Sequence, residues 1–182
     1  VPEPNTQLPL LAEAAALIAS SKVFCCFELP GEPRAWERPG ARVRMGFHGP
    51  FIQWYTRAAD DKYREAIAWS AKATMRGRPP TAAPVALLVH AFLPIPPSWH
   101  WKRKQAALAG VERPISKPDY DNFLKSPADA MKHIVWLDDA QVVDGRCIKR
   151  YSEQPALRVE VREFVVPETK SGPGCPWAAP HA

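Results

Sequence analysis

Two aspartates stand two residues apart in Lys117-Pro118-Asp119-Tyr120-Asp121-Asn122-Phe123-Leu124-Lys125, and a lysine follows four after the second. A further acidic pair comes in Trp136-Leu137-Asp138-Asp139-Ala140-Gln141-Val142. A lone Asp-x-Asp is an ordinary turn or capping element, because Asp side chains bond nearby backbone N–H groups. Several carboxylates returned to one neighbourhood are a different matter. Two unit charges about 4 Å apart repel by ~4 kcal/mol at an effective dielectric of roughly 20, so such a cluster needs a counter-charge. A divalent cation with all-oxygen ligands supplies it, which points to Mg²⁺, with Mn²⁺ as a substitute.

The elements that must position these groups can be read locally. Pro118 biases Lys117 toward extended backbone. If the extension continues through Asp121, the two carboxylates share a face, since strand side chains alternate. A helix opening near Asn122 brings Lys125 round one turn after Asp121. Ser126 to His133 reads as a helix and Asp139 as the start of the next strand, so a strand–helix–strand return would set Asp139 beside Asp119 and Asp121. Pro127 leaves two readings open. It is either an interior proline that interrupts the helix, or the first helical residue after a Ser126 N-cap with Asp129 as capping-box partner. Three carboxylates and one ammonium group suit phosphodiester hydrolysis. The carboxylates hold the metal, and Lys125 orients water or neutralises charge that builds in the transition state. No Gly-rich P-loop and no Ser/His/Asp arrangement competes with this set.

The rest of the chain bounds the partners. It has 182 residues, 46% apolar and 24% charged, which fits one soluble globular domain with a sizeable core rather than a disordered or fibrous chain. Lys and Arg number 24 against 19 Asp and Glu, a net +5 that suits a polyanionic partner. The longest apolar run, Leu8 to Ala19, carries Glu13 and falls short of the about 20 residues a bilayer needs, so no membrane partner is expected. Cys25, Cys26, Cys147 and Cys175 show no zinc spacing and read as reduced, packed thiols in a cytoplasmic protein.

The expected layout has an Ala-rich, helical N-terminal extension at 1–21, a main domain at 22–166 and a disordered tail at 167–182. Val23–Leu29 is the first strand. Arg34, Arg38, Arg42 and Arg44 then fall within eleven residues around Trp36, either as a solvated loop or as a phosphate-contacting arm. Phe51–Tyr55 reads as a short strand and Thr56–Met75 as a helix. Val85–Leu93, apolar at both parities, should lie centrally in the sheet, with His90 a satisfied buried histidine. Ser98–Ala109 reads as a helix capped by Ser98. Its Lys102, Arg103 and Lys104 beside Trp99 and Trp101 form either a nucleic-acid groove or a solvated helix over packed indoles. Gln141–Arg150, with Gly145 a candidate bulge, and an antiparallel strand at Leu157–Val161 complete an α/β domain, a single mixed β-sheet packed by helices.

The two acidic motifs as a pair resemble the RusA family of Holliday junction resolvases. Leu29-Pro30-Gly31-Glu32-Pro33, Arg38-Pro39 and Tyr55-Thr56 are similar to that family's opening segment, and the resemblance spans roughly 23–165. It implies a homodimeric Mg²⁺-dependent endonuclease that nicks four-way DNA junctions symmetrically in recombination and repair. Matched by motif, Asp119, Asp121 and Asp139 take the places of the essential acidic residues and Lys125 that of the essential lysine, while Asp129 and Asp138 sit at commonly acidic positions. Arg34, Arg38, Arg42, Arg44, Lys102, Arg103, Lys104 and Lys117 are the candidate DNA contacts. Two other readings stay open: a non-catalytic basic DNA-binding module, and a metal nuclease for flaps or other branches.

Overall fold

The computed structural model describes residues 21–55 and 57–164; the N-terminal extension, Thr56, Cys175 and the tail lie outside the described residues. Within them the chain is a single α+β domain with a four-stranded mixed sheet and a separate two-stranded ribbon. The elements run β1 (Lys22–Pro30), β2 (Gly40–Gly46), β3 (Gly49–Tyr55), α1 (Ala58–Met75), β4 (Val85–Pro94), α2 (Trp101–Leu108), α3 (Tyr120–Met131), a 3₁₀ turn (Asp139–Gln141), β5 (Val142–Ser152) and β6 (Ala156–Glu163). The main sheet has the order β1-β6-β4-β5, and β2 pairs only with β3.

Strand β4 is central, as its unbroken apolar run requires. It runs antiparallel to β6 on one side and parallel to β5 on the other. Strand β6 does not pair with its predecessor β5; β4 lies between them, and β6 also pairs antiparallel with β1. The parallel β4–β5 pair needs a long crossover, and the whole acidic stretch lies in it. The bulge in β5 is at Val143, which is skipped between the pairs Val85↔Val142 and Ala86↔Asp144; Gly145 pairs regularly with Leu87. A Cβ at Gly145 would meet Leu124 at 3.8 Å, an ordinary contact, so close packing does not call for glycine there.

The helices cover the sheet with the faces their spacing dictates. Ile67, Ala71 and Met75 on α1, at i, i+4 and i+8, are buried, and Phe123, Pro127 and Met131 do the same for α3. Trp136 and Phe123 are the two largest fully buried side chains. Helix α1 ends at Arg76, in the left-handed region at φ 49°, followed by Gly77 at φ 78°. Helix α2 begins later than the Ser98 cap predicts. His100 is its N-cap, with Nδ1 accepting from the Lys102 N–H at 3.4 Å.

Of the two readings around Pro127, α3 bears out the interior proline, without an interruption of the helix, and overturns the N-cap one. The helix runs unbroken from Tyr120, so Ser126 is a buried interior residue, not an N-cap, and Pro127 sits inside the helix. An interior proline costs ~3 kcal/mol through its missing N–H. Burying the Pro127 ring in the core contributes in the opposite direction.

Cys25 is buried and its neighbour Cys26 only partly so, as opposite faces of one strand require. Burial pushes the Cys25 and Cys147 thiols up to about 11. Both are free, fitting packed thiols. His90 is half-buried rather than buried, opposite Arg158 on β6, and burial with Arg158 and Arg150 holds its pKa below the ordinary value. No helix among the described residues is long and apolar enough to cross a membrane.

Candidate active site

An open cleft of about 870 Å³ runs between the segment after β1 and the N-terminal turns of α3. Asp119, Asp121, Asn122 and Lys125 line one wall; Arg34, Trp36 and Arg38 line the other, with Lys117 beside them. Asp119 is not extended through to Asp121: it is the N-cap of α3, at φ −70° and ψ 153°, and Asp121 lies in the first helical turn. The helix supplies what the strand reading did not. Asp121, Lys125 and Asp129 fall at i, i+4 and i+8 and are exposed, opposite the buried Phe123–Pro127–Met131 face.

The helix start is fastened from two sides. Lys149 on β5 donates through Nζ to the carbonyls of Ser116 at 3.0 Å and Pro118 at 2.9 Å, on either side of the cis Lys117–Pro118 peptide. The Trp36 N–H donates to the Asn122 carbonyl at 2.8 Å. The Trp36 ring then carries the Lys125 ammonium 4.1 Å from its centroid, a cation–π contact that holds the lysine along the cleft wall. Neither partnership is visible in sequence spacing, because Lys149 and Trp36 are distant in the chain from what they touch.

Charges in the cleft are unevenly satisfied. Arg34 Nε donates to Asp60 Oδ1 at 3.1 Å, and Arg57 pairs with Glu37 at 2.6 Å. Among the described residues the carboxylates of Asp119 and Asp121 have no hydrogen bond and no ion pair. Two free carboxylates in an open cleft offer the all-oxygen donors a hard divalent cation takes, and such a cation keeps waters in its other positions.

Asp139 does not join them within one chain. Helix α3 has 12 residues and is therefore about 18 Å long, with Asp119 at its N-terminal end. The Asp138–Asp139 pair is tied to the other end, where Lys132 Nζ contacts Asp138 Oδ2 at 2.9 Å. The return to β5 places Lys149, not Asp139, beside the acidic turn. Among the described residues no group of three His, Cys, Asp or Glu side chains is arranged to hold a metal ion.

The second motif has structural work of its own. Trp136 is fully buried and donates its indole N–H to Asp139 Oδ1 at 3.1 Å. Asp138 caps the 3₁₀ turn by accepting from the Ala140 N–H at 3.0 Å; that bond and Lys132 hold its carboxyl below the ordinary range. Gln141 accepts from the N–H groups of Leu137 and Asp138 and donates to the carbonyls of Thr81 and Ala83, locking the approach to β5.

The expected DNA contacts divide into three places. Arg34, Arg38 and Lys117 line the cleft, and Arg42 and Arg44 stand on the β2–β3 ribbon. Lys102, Arg103 and Lys104 lie on α2, away from the cleft lining, and all three are engaged locally, Lys102 at 5.7 Å from the Trp101 centroid. Arg103 stacks 3.7 Å from the Trp99 centroid and pairs with Glu112, while Lys104 donates to the Pro97 carbonyl.

Comparison with known proteins bears on the same region. Residues 30–162 match the family described as Endodeoxyribonuclease RusA. The chain is also similar to the uncharacterized protein YqaN of Bacillus subtilis (strain 168), with 36% identity over 141 residues that span 75% of this chain and 94% of that protein.

Proposed function

The chain belongs to the RusA family of endodeoxyribonucleases, and from that premise we propose that it is a Mg²⁺-dependent nuclease resolving four-way DNA junctions by paired symmetric nicks. The observation that carries this reading is the pair of unpartnered carboxylates, Asp119 and Asp121, sharing one open cleft with Lys125 and Arg38. Those two carboxylates would hold Mg²⁺, or Mn²⁺ in its place. When bound, the ion polarises the phosphoryl oxygen, activates water and stabilises the leaving alkoxide.

The chain's own residues do the rest. Lys125, kept at the wall by Trp36, faces the negative charge that grows on the phosphoryl oxygens, where a fixed cation acts most strongly. Arg34, Arg38 and Lys117 bind flanking phosphates and set the strand's register in the cleft. Asp139 supports the site through Trp136 and the start of β5. Two symmetric nicks need two such clefts, and a twofold homodimer supplies them. A panel of four-way junction, flap and linear duplex, all of one sequence, tests the substrate. The junction should be nicked far faster than the others; equal or faster cutting of the flap would make the protein a nuclease for other branches.

The basic ribbon yields a separate expectation. Each phosphate contact contributes about 0.9 to the slope of log K against log salt. Replacing Arg44 by Gln should therefore weaken binding to all DNA alike and flatten that slope by about 1, measured by fluorescence anisotropy across a salt series.

A further inference from the structure

The β2–β3 ribbon has two unlike faces. Directly opposite residues share a face, so Ala41, Val43 and Met45 lie with Trp54, Ile52 and Pro50, while Arg42 and Arg44 lie with Gln53 and Phe51. The arginine face is internally organised. Tyr55 covers Gly40, where an added Cβ would come within 2.5 Å of the ring, and Arg42 sits 5.4 Å from the Tyr55 centroid and donates to Gln53 at 3.2 Å. The apolar face is bare: Val43 is 71% exposed, Met45 79%, Ile52 60% and Trp54 68%. Phe47, in the turn at the tip, is 101% exposed. Among the described residues each strand packs mainly on the other. A lone two-stranded ribbon is marginal in water, so this one is built to be covered.

The charge of the ribbon favours DNA over a second copy as the cover. Residues 40–55 hold Arg42, Arg44 and His48 and no acidic side chain, and a second copy would bring the same +5 charge. A ribbon of two strands is also what a DNA groove admits. The apolar face carries no hydrogen-bonding side-chain group except the Trp54 indole N–H, so it is poorly equipped to read base edges. It can pack on base faces. Continuous duplex buries those faces by stacking, whereas a branch point leaves some of them open.

We propose that the β2–β3 ribbon is a branch-sensing arm, laying Phe47 and Trp54 on bases unstacked at the branch while Arg42 and Arg44 bind the adjoining phosphates. This deepens the junction reading above and rests on it, supplying the element that separates branch from duplex.

The test compares the full chain with Phe47→Ser, Trp54→Ser and the double variant, in EDTA to prevent cutting. Substrates are a four-way junction carrying 2-aminopurine at the branch and a linear duplex of the same sequence. The double variant should lose at least about tenfold in junction affinity while duplex affinity moves less than about twofold, and the 2-aminopurine signal on binding should disappear. Arg42→Gln with Arg44→Gln should weaken both substrates together. Retained junction preference in the double variant overturns the arm, as does an equal loss on both DNAs. A drop in sedimentation mass for Trp54→Ser overturns it too, assigning the face to a second copy. If the unaltered chain itself shows no preference for the junction, the junction reading fails first and takes the arm with it. Circular dichroism melts of each variant establish that the domain stays folded.

Discussion

Asp121→Asn should abolish nicking of a four-way junction, by a factor on the order of 10³ or more, and leave junction binding within about threefold of the unaltered chain. The substitution is nearly isosteric, and the side chain is exposed on α3 with no hydrogen bond or ion pair to lose among the described residues. Folding stability should fall by no more than about 1 kcal/mol, the contribution of a first-turn carboxylate at a helix N-terminus. What is lost is a formal negative charge in the cleft, and with it the ability to hold a divalent cation. An isothermal titration with Mn²⁺ checks the cause separately from the rate: the binding heat should vanish in the variant. A structural role for Asp121 would instead lower the melting temperature by more than that fall implies and leave residual nicking proportional to the folded fraction.

The second large effect belongs to Lys125. Replacing it with Ala should slow nicking by on the order of 10²–10³ at saturating substrate, with a much smaller change in the concentration giving half-maximal rate. The ammonium is positioned in two ways at once, by its helical spacing from Asp121 and by the Trp36 ring 4.1 Å away. Lys125→Arg should recover part of the rate, because it restores a cation that can also stack on Trp36. Trp36→Leu keeps the apolar volume but removes the ring face, and should fall between the parent and Lys125→Ala. A lysine acting only through bulk phosphate attraction would behave differently: Ala would raise the half-saturating concentration and leave the maximal rate alone.

How far these residues could be read in advance follows from the range over which each is determined. Lys125 one turn after Asp121 is a local fact of helical spacing, and the structure has it. The central position of β4 was likewise legible, because an unbroken apolar run has to be covered on both faces. The place of Asp139 is not local. It depends on which part of β5 the acidic turn meets, and Asp139 stands at the far end of α3. Ser126-Pro127 has the chemistry of a helix beginning, yet tertiary packing draws both residues into the core. The ribbon was half hidden for a related reason. Its second strand, Phe51–Tyr55, is legible, but in Arg42-Val43-Arg44-Met45 the clustered arginines mask an alternation that also describes a strand. Trp136-Leu137-Asp138-Asp139-Ala140-Gln141 was legible as a motif and less so as a mechanism, since capping, an indole bond and a glutamine clip account for much of it.

Cleavage of a labelled synthetic four-way junction with and without Mg²⁺ tests the central claim most directly. With Mg²⁺, the account predicts two nicks at symmetric positions on opposing strands; with EDTA it predicts intact junction still bound by the protein. Binding with no cleavage at any Mg²⁺ or Mn²⁺ concentration would contradict it, leaving a basic DNA-binding module on a nuclease fold.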